Sequence, residues 1–487
     1  MNDLFSFSNI YRCYLKCRKR KRKTINALRF ETRLEDNLCK LEKQLKTRSY
    51  QPARSVCFVV KKPKLREIFA ADFRDRIAHH ILVDYLEKII DPKFIYDSWA
   101  CRCGKGTIAA VKRLRKFTRS ITSNGTRNAF YLQLDVKSFF VNIHKSSLFE
   151  IIKKKTAHQD VLWLLKKILD NDCVKGCIVK GNPHLIEKIP PHKTLFKTAP
   201  DKGLPIGNLT SQFFANVYLN ELDQFVKHSL KIKYYIRYAD DFVILSRDRE
   251  KLLLWKMEIE KFLMEKLKLE LNRKMEKLKP ISTGIDFLGY IVRPKYMLVR
   301  RRVINNCKLK LKELARNVGA NQEMLQFSPE LVKKTKESFS SYLAHFKFAN
   351  SYKLKQSILS EFVFLNDYLK YFNLVLPHNF PCLKTQYESF RNILPKNVII
   401  FFQVGCFYKF FGEDAINAGE IFGLRIIKKG KECFTGFSIG LEKKYVALAV
   451  NSGYNVYVVN QTRNYMFTHK LYERILIKKY HLGGTCV

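Results

Sequence analysis

Residues 236–245 read IRYADDFVIL, with Asp240 and Asp241 side by side between two apolar, β-rich runs. A run that ends in Tyr-Ala-Asp-Asp and restarts with Phe-Val-Ile-Leu predicts a hairpin whose tip carries two carboxylates. A third acid, Asp135, sits near the end of another predicted strand, NAFYLQLDVKSFF at 128–140. Three carboxylates suit the transfer of a nucleotide to a hydroxyl group, provided the two strands are neighbours. That reaction must activate the hydroxyl and carry the negative charge that builds on the phosphate. Two divalent metals about 3.5–4 Å apart can do both. Mg²⁺ wants hard oxygen ligands, usually one or two carboxylates per ion, with water and phosphate completing the shell. Asp is also a favoured turn residue. Taken alone, the tetrapeptide reads more simply as an exposed turn.

The composition narrows the partner. The chain has 90 Lys and Arg against 44 Asp and Glu, a net charge of +46. Such an excess repels itself unless a polyanion neutralises it, and nucleic acid does so through phosphate contacts and counterion release. A Lys-rich genome bias inflates the count but does not explain the shortage of acids. At 487 residues and 46% hydrophobic content the chain is globular and long enough for two or three domains. The N-terminus, MNDLFSFSNIYRCYLKCRKRKRKTIN, lacks the apolar core of a signal peptide, and no uncharged stretch reaches the ~18 residues of a membrane helix. The 13 Cys are scattered, with no paired C-x-x-C knuckles, so reduced thiols are expected rather than a zinc site. These features predict a cytoplasmic protein with no membrane partner.

The elements that must hold the acids follow in order. Residues 1–50 are basic and helical in pattern, with RKRKRK at 18–23 as either a solvated face or a phosphate-binding stripe. VCFVVKKPKLREIFAA (56–71) predicts two strands around a Lys-Pro turn, and 72–90 a helix. CGKGT (103–107) is a turn too short for a phosphate-binding P-loop. Arg102 and Lys105 beside it are expected to touch nucleic acid. A long helix starts near Ser211, a charged one covers about 249–268, and GIDFLGYIVRP (284–294) predicts another strand pair. From about 302 to 375 the pattern is helical and basic. LPHNFPCLK (376–384) reads as a linker, and 397–487 alternates strand and helix signals.

The order of the motifs resembles that of reverse transcriptases from about Arg48 to Val375. PKLREI (63–68) and DFRDRIAHH (72–80) resemble the fingers segments, and QLDVKSFF the catalytic strand. The resemblance implies metal ligation at Asp135, Val136, Asp240 and Asp241. It implies nucleotide binding at Lys64, Arg66, Phe140, Ile206, Gly207 and Gln212, with Phe140 excluding a ribose 2′-hydroxyl. LELNRKM (269–275) suggests Lys274 as proton donor to pyrophosphate. FLGY supplies a primer-holding turn at Phe287, Leu288, Gly289 and Tyr290, and SSYLAHFKFANSYKL (340–354) resembles the thumb of bacterial enzymes. Where most of the family carries Gln-Gly, then Ser-Pro, this chain has IGNLTSQ, preceded by IPPHKTLF. That pattern resembles the enzymes of diversity-generating retroelements, which copy a template RNA and misincorporate opposite adenines. A Gln near the nucleotide can hydrogen-bond its sugar; Ile206 cannot.

VIIFFQVGCFYKFFGEDAINAGEIFGL (398–424) and VALAVNSGYNVYVVNQT (446–462) resemble the mismatch-recognition domain of MutS-type proteins. Its wedging Phe is kept as Phe407. The usual Asp is Cys406 and the usual Glu is Lys409, and a lysine there favours phosphate over selective base contact. Phe410 and Phe411 are expected in the core. The resulting expectation is an α+β right-hand polymerase with a small α/β domain appended. Its segments are a basic helical segment (1–50), fingers and palm (51–295), a helical thumb (296–375), a linker (376–396) and the MutS-like domain (397–487). It would use two Mg²⁺ ions, with Mn²⁺ as an alternative, and dNTPs, a template RNA, its cDNA and an accessory protein. A phage-defence reverse transcriptase and a non-catalytic nucleic-acid scaffold are the rival readings.

Overall fold

The computed structural model describes residues 3–19, 21–61, 64–319, 329–362, 382–394, 398–430, 432–466 and 471–480. The Lys-Pro turn at 62–63, the stretch 363–375 of the expected thumb and most of the proline segment 376–384 lie outside these residues. The chain divides into two compact units, Met1–Asn306 with Lys336–Ser351, and Cys307–Thr335 with Tyr352–Val487. Both mix helices and sheets, as the α+β expectation requires.

The first unit is organised on a four-stranded antiparallel sheet. Its order is β5 (Tyr235–Tyr238), β6 (Asp241–Ser246), β3 (Phe130–Asp135) and β7 (Lys277–Pro280). Side chains alternate between the faces of a strand, and here each face meets its own core. Leu132, Leu134, Phe242 and Ile244 join the core built on the helices Phe73–Ile90, Leu209–Gln224 and Arg249–Leu267. Tyr131, Val243 and Leu245 join a second core with the helix Thr107–Ile121. Both faces being covered explains why FVIL is apolar at every position. The N-terminal helices Phe7–Arg18 and Leu34–Lys46 bury Ile10, Cys13, Tyr14, Leu38, Leu41 and Leu45 in the first core. The basic segment is thus part of the fold. In its charge run, Arg18 pairs with Glu31 at 2.6 Å while Arg22 and Lys23 stay exposed.

Two smaller sheets flank this one. β1 (Val56–Val60) pairs with β2 (Arg66–Ala70) and with β4 (Ile178–Lys180). β8 (Ile285–Phe287), β9 (Tyr290–Val292) and β10 (Met297–Val299) form the third. In the second unit a six-stranded sheet runs β13-β14-β12-β11-β15-β16. In chain order these are Val398–Val404 (β11), Phe407–Phe411 (β12), Ile427–Lys429 (β13), Glu432–Ser438 (β14), Asn455–Met466 (β15) and Leu471–Tyr480 (β16). Its helices Glu413–Phe422 and Glu442–Asn451 share a core with Phe401 and the fully buried Phe410. Ile400 and Phe402 point the other way, onto Tyr387 and Phe390 of a helix Leu383–Ile393. That helix corrects the expectation of a linker at 376–396. The two prolines suggested a break, but the apolar spacing that follows forms a third layer.

The hairpin β5–β6 is anchored from below by a buried ion pair. Arg237 and Asp223 have no exposed side-chain surface. Arg237 donates to Asp223 through Nε (2.8 Å) and Nη2 (2.5 Å), to Ser98 Oγ and Asn216 Oδ1, and to the Ala239 carbonyl at 3.0 Å. Tyr235 adds a third hydrogen bond to Asp223. A buried charge is tolerated when paired and hydrogen-bonded, and removing one partner strands the other. Asp223→Ala should therefore lower the unfolding free energy by about 3–5 kcal/mol in urea denaturation. A loss below about 1 kcal/mol would mean the hairpin does not depend on this pair.

Candidate active site

The register of the central sheet places Asp135 directly opposite Asp241 across β3 and β6. Asp240 precedes Asp241 in the turn, after Ala239, which holds a left-handed φ of 54°. A non-Gly residue there is uncommon, and the Arg237 bond to the Ala239 carbonyl fixes it. The predicted hairpin and the predicted third acid thus come from neighbouring strands. All three side chains are half-buried.

Their electrostatics follow from that arrangement. Burial, then the charge of Asp135, raises Asp240 from 3.8 to about 6. Burial, then Asp135 and Asp240, raises Asp241 to about 7. Asp135 is also raised by burial, while a hydrogen bond from Asn272 and the cations Lys64, Arg66 and Lys193 pull it down. Lys64 acts on all three acids. Among the described residues no group of three or more His, Cys, Asp or Glu forms a metal cage by itself. Repelling, half-buried carboxylates fit an open divalent-ion site completed by water and phosphate.

The segment 270–272 is stitched along the end of β3. Asn272 donates its side-chain amide to Asp135 Oδ2 (2.9 Å) and its main-chain N–H to the Asp135 carbonyl (2.7 Å). Lys137 N–H reaches the Glu270 carbonyl at 2.9 Å, and Val136 is buried and bridged to Leu271. Asn272 was not singled out by sequence reasoning; only its place in LELNRKM pointed near it. Lys274 is exposed on the short turn Arg273–Met275 and lines, with Lys64, a cavity of about 1290 Å³.

The expected nucleotide-binding residues converge through backbone bonds. Phe69 N–H donates to the Ile206 carbonyl (2.8 Å), and Leu204 N–H to the Phe140 carbonyl (2.8 Å). Phe140 and Ile206 are half-buried, whereas Arg66 and Gln212 are exposed. Gly207 has φ +123°, and a Cβ there would lie 2.7 Å from the Phe69 carbonyl oxygen. Glycine is required because two backbones touch. Asn208, absent from the expected set, accepts from Ala71 N–H at 3.2 Å and ties the same junction.

The other expected contact residues differ in how far their own fold engages them. Arg102 is engaged by Asp91 at 2.7 Å and by the carbonyls of Ile95, Ser98 and Asp91, which leaves its guanidinium bound to its own fold. Lys105 donates to the Tyr96 carbonyl and lies over the Tyr96 and Trp99 rings; burial lowers it to about 8. A Gly-rich turn with two cations cannot reveal that its cations face inward. In the turn 287–290, Phe287 and Tyr290 are core residues, with Tyr290 stacked on His345 at 4.1 Å. Only Leu288 and Gly289, both at positive φ, stand at the tip. In the second unit Phe407 is 51% exposed at the start of β12. Lys409 is half-buried over the Phe434 ring.

The raised acids have a measurable consequence. The unfolded chain ionises them near 3.8, the folded one near 6 and 7. Between those values the folded state holds protons that the unfolded state has lost. Stability contributed by the protonated form therefore falls as pH rises through this window. In buffer free of divalent ions, Asp240→Asn and Asp241→Asn should each stabilise the protein at pH 8, by about 1–3 kcal/mol, and change little at pH 4. Destabilisation at pH 8 in thermal melts would contradict this picture.

Comparison with known proteins agrees with the geometry. Residues 59–292 match the family described as reverse transcriptase (RNA-dependent DNA polymerase). Residues 382–485 match MutS domain I. The group II intron-encoded protein LtrA of Lactococcus lactis subsp. cremoris is 24% identical over 325 residues, covering 53% of this chain and 50% of that protein. An uncharacterized 91 kDa protein in the cob intron of Schizosaccharomyces pombe is 24% identical over 195 residues, 40% of this chain and 21% of its own. The match to LtrA thus spans about half of that relative's length. Among solved structures, telomerase from Candida albicans is 12% identical with a TM-score of 0.38, over 66% of this chain and 62% of that one. Residues 59–292, the segment that holds Asp135, Asp240 and Asp241, are a reverse transcriptase domain, an RNA-directed DNA polymerase.

Proposed function

We propose that the whole chain copies a template RNA into cDNA with dNTPs, as the polymerase of a diversity-generating retroelement, with errors opposite adenine. The observation that carries the polymerase reading is the register pairing of Asp135 with Asp241, next to Asp240 and under the charge of Lys64. Asp135, Asp240 and Asp241, with Val136 beside them, would hold two Mg²⁺ ions, or Mn²⁺. Bound there, the ions lower the pKa of the attacking hydroxyl and carry charge on the phosphate. The chain's own groups do the rest. Lys64 and Arg66 bind the triphosphate. Asn272 fixes the orientation of Asp135. Phe140 crowds the ribose 2′ position. Lys274 delivers a proton to the leaving pyrophosphate, and the tip Leu288–Gly289 supports the primer.

The diversifying role rests on Ile206. Its carbonyl is tied to β2 and its half-buried side chain has no hydrogen-bonding group to offer a sugar. The nascent pair is then held by fewer directional contacts. The second unit would add nucleic-acid binding, with the exposed Phe407 as the group able to wedge between bases and Lys409 as a nearby cation. The template RNA and an accessory protein complete the proposed assembly, in the cytoplasm of a prokaryote or its phage. No described helix is long and apolar enough to cross a membrane.

Sequencing the RNA and cDNA that co-purify with the protein tests the reading, with adenine-directed substitutions in the cDNA expected. Ile206→Gln should reduce misincorporation at template adenines by about 2–10-fold, the worth of one added hydrogen bond. Equal error spectra in the two proteins would remove Ile206 from the account. Faithful cDNA from the parent would favour a defence-type enzyme.

A further inference from the structure

The motif IPPHKTLF is tied to strand β2, which carries Arg66. On β2, Glu67 lies between Arg66 and Ile68, so its side chain leaves the opposite face of the strand. It is buried, at 4% exposure. One carboxylate oxygen accepts the Leu195 N–H at 2.5 Å, and the other the Thr194 hydroxyl at 2.6 Å. Burial raises the Glu67 carboxyl, and these two bonds oppose that rise. Leu195 packs with Cys57 and Phe69 in a small core, and Phe196 lies 5.7 Å from the Phe69 ring. Three separate contacts thus hold residues 194–196 against β2.

The consequence falls on the preceding turn, Pro191–Lys193. Its His192 and Lys193 are exposed and line the cavity of about 1290 Å³ that also holds Lys64 and Lys274. The charge of Lys193 is felt at Asp135, next to those of Lys64 and Arg66. Lys197, four residues on, is also exposed but does not line that cavity. A lysine held by a buried carboxylate latch at the mouth of an acidic site is placed to bind phosphate as a point charge.

We infer that Lys193 is a further phosphate-binding residue of the nucleotide site, contacting the triphosphate of the incoming dNTP, and that Glu67 is the positioning residue that aims it. The inference rests on the polymerase reading. A triphosphate and a template or primer phosphodiester offer the same chemistry, so the test separates them.

In steady-state primer extension by the full chain on a primed RNA template, Lys193→Ala should raise the KM for dNTP about tenfold, the worth of one charge-assisted contact. Its kcat and its Kd for primer–template should stay within about twofold. Lys193→Arg should restore most of the affinity, and Lys197→Ala, with the same loss of charge, should behave as the parent. Because Glu67 acts through the same lysine, Glu67→Gln should raise KM in the parent but add nothing to Lys193→Ala. An unchanged dNTP KM in Lys193→Ala overturns the inference while leaving a working polymerase. So does a shift confined to the primer–template Kd, which would place Lys193 on the nucleic-acid backbone. A parent protein that extends no primer defeats the polymerase reading, and this inference falls with it.

Discussion

Three carboxylates brought together repel one another, and the first unit is arranged around containing that repulsion. The β3–β6 register sets Asp135 against Asp241. The fully buried Arg237, neutralised by Asp223, holds the Ala239 carbonyl and with it the turn that carries Asp240. Asn272 fixes Asp135 from the far side. Lys64, Arg66, Lys193 and Lys277 supply positive charge around the acids. Burial first, and the charge of Asp135 after it, leaves Asp240 and Asp241 raised, and a divalent ion bound beside them would favour their charged forms.

The same arrangement explains how a chain of net charge +46 can place acids at one turn. The acids are a small local exception, and the surrounding cations act both on the carboxylates and on any phosphate brought to them. The junction proposed to bind the nucleotide is built from backbone rather than charge. β2 leans on Ile206 and Gly207 so closely that a Cβ at Gly207 would collide with the Phe69 carbonyl. Glu67 draws the 194–196 segment to the same strand. One short strand therefore organises Arg66 on one face and the latch on the other.

Much of this was legible in the sequence. The YADD hairpin and the strand ending in Asp135 are local patterns, and local patterns survive folding. Phe410 was expected in the core and is fully buried. What could not be read is long-range pairing of polar groups. Arg102 looked like a free cation because nothing in the sequence announces that Asp91 and three carbonyls enclose it. Asn272 and Glu67 looked ordinary because their importance lies in partners more than 100 positions away. Phe287 and Tyr290 read as a primer contact, but strand alternation turns both into the core, leaving the tip to Leu288 and Gly289. The helix Leu383–Ile393 was hidden by the neighbouring prolines, and only the apolar face of β11 reveals why it forms.

We propose that Asp135, Asp240 and Asp241 act together as the charge-bearing centre of cDNA synthesis. The most direct measurement is Mg²⁺-dependent extension of a DNA primer on an RNA template by the full chain and by its Asp240→Asn variant. Losing several kcal/mol of charge stabilisation corresponds to a drop of about a thousandfold or more. That drop is the expected result, with primer–template binding retained. An Asp240→Asn protein that extends the primer at close to the parental rate would contradict it.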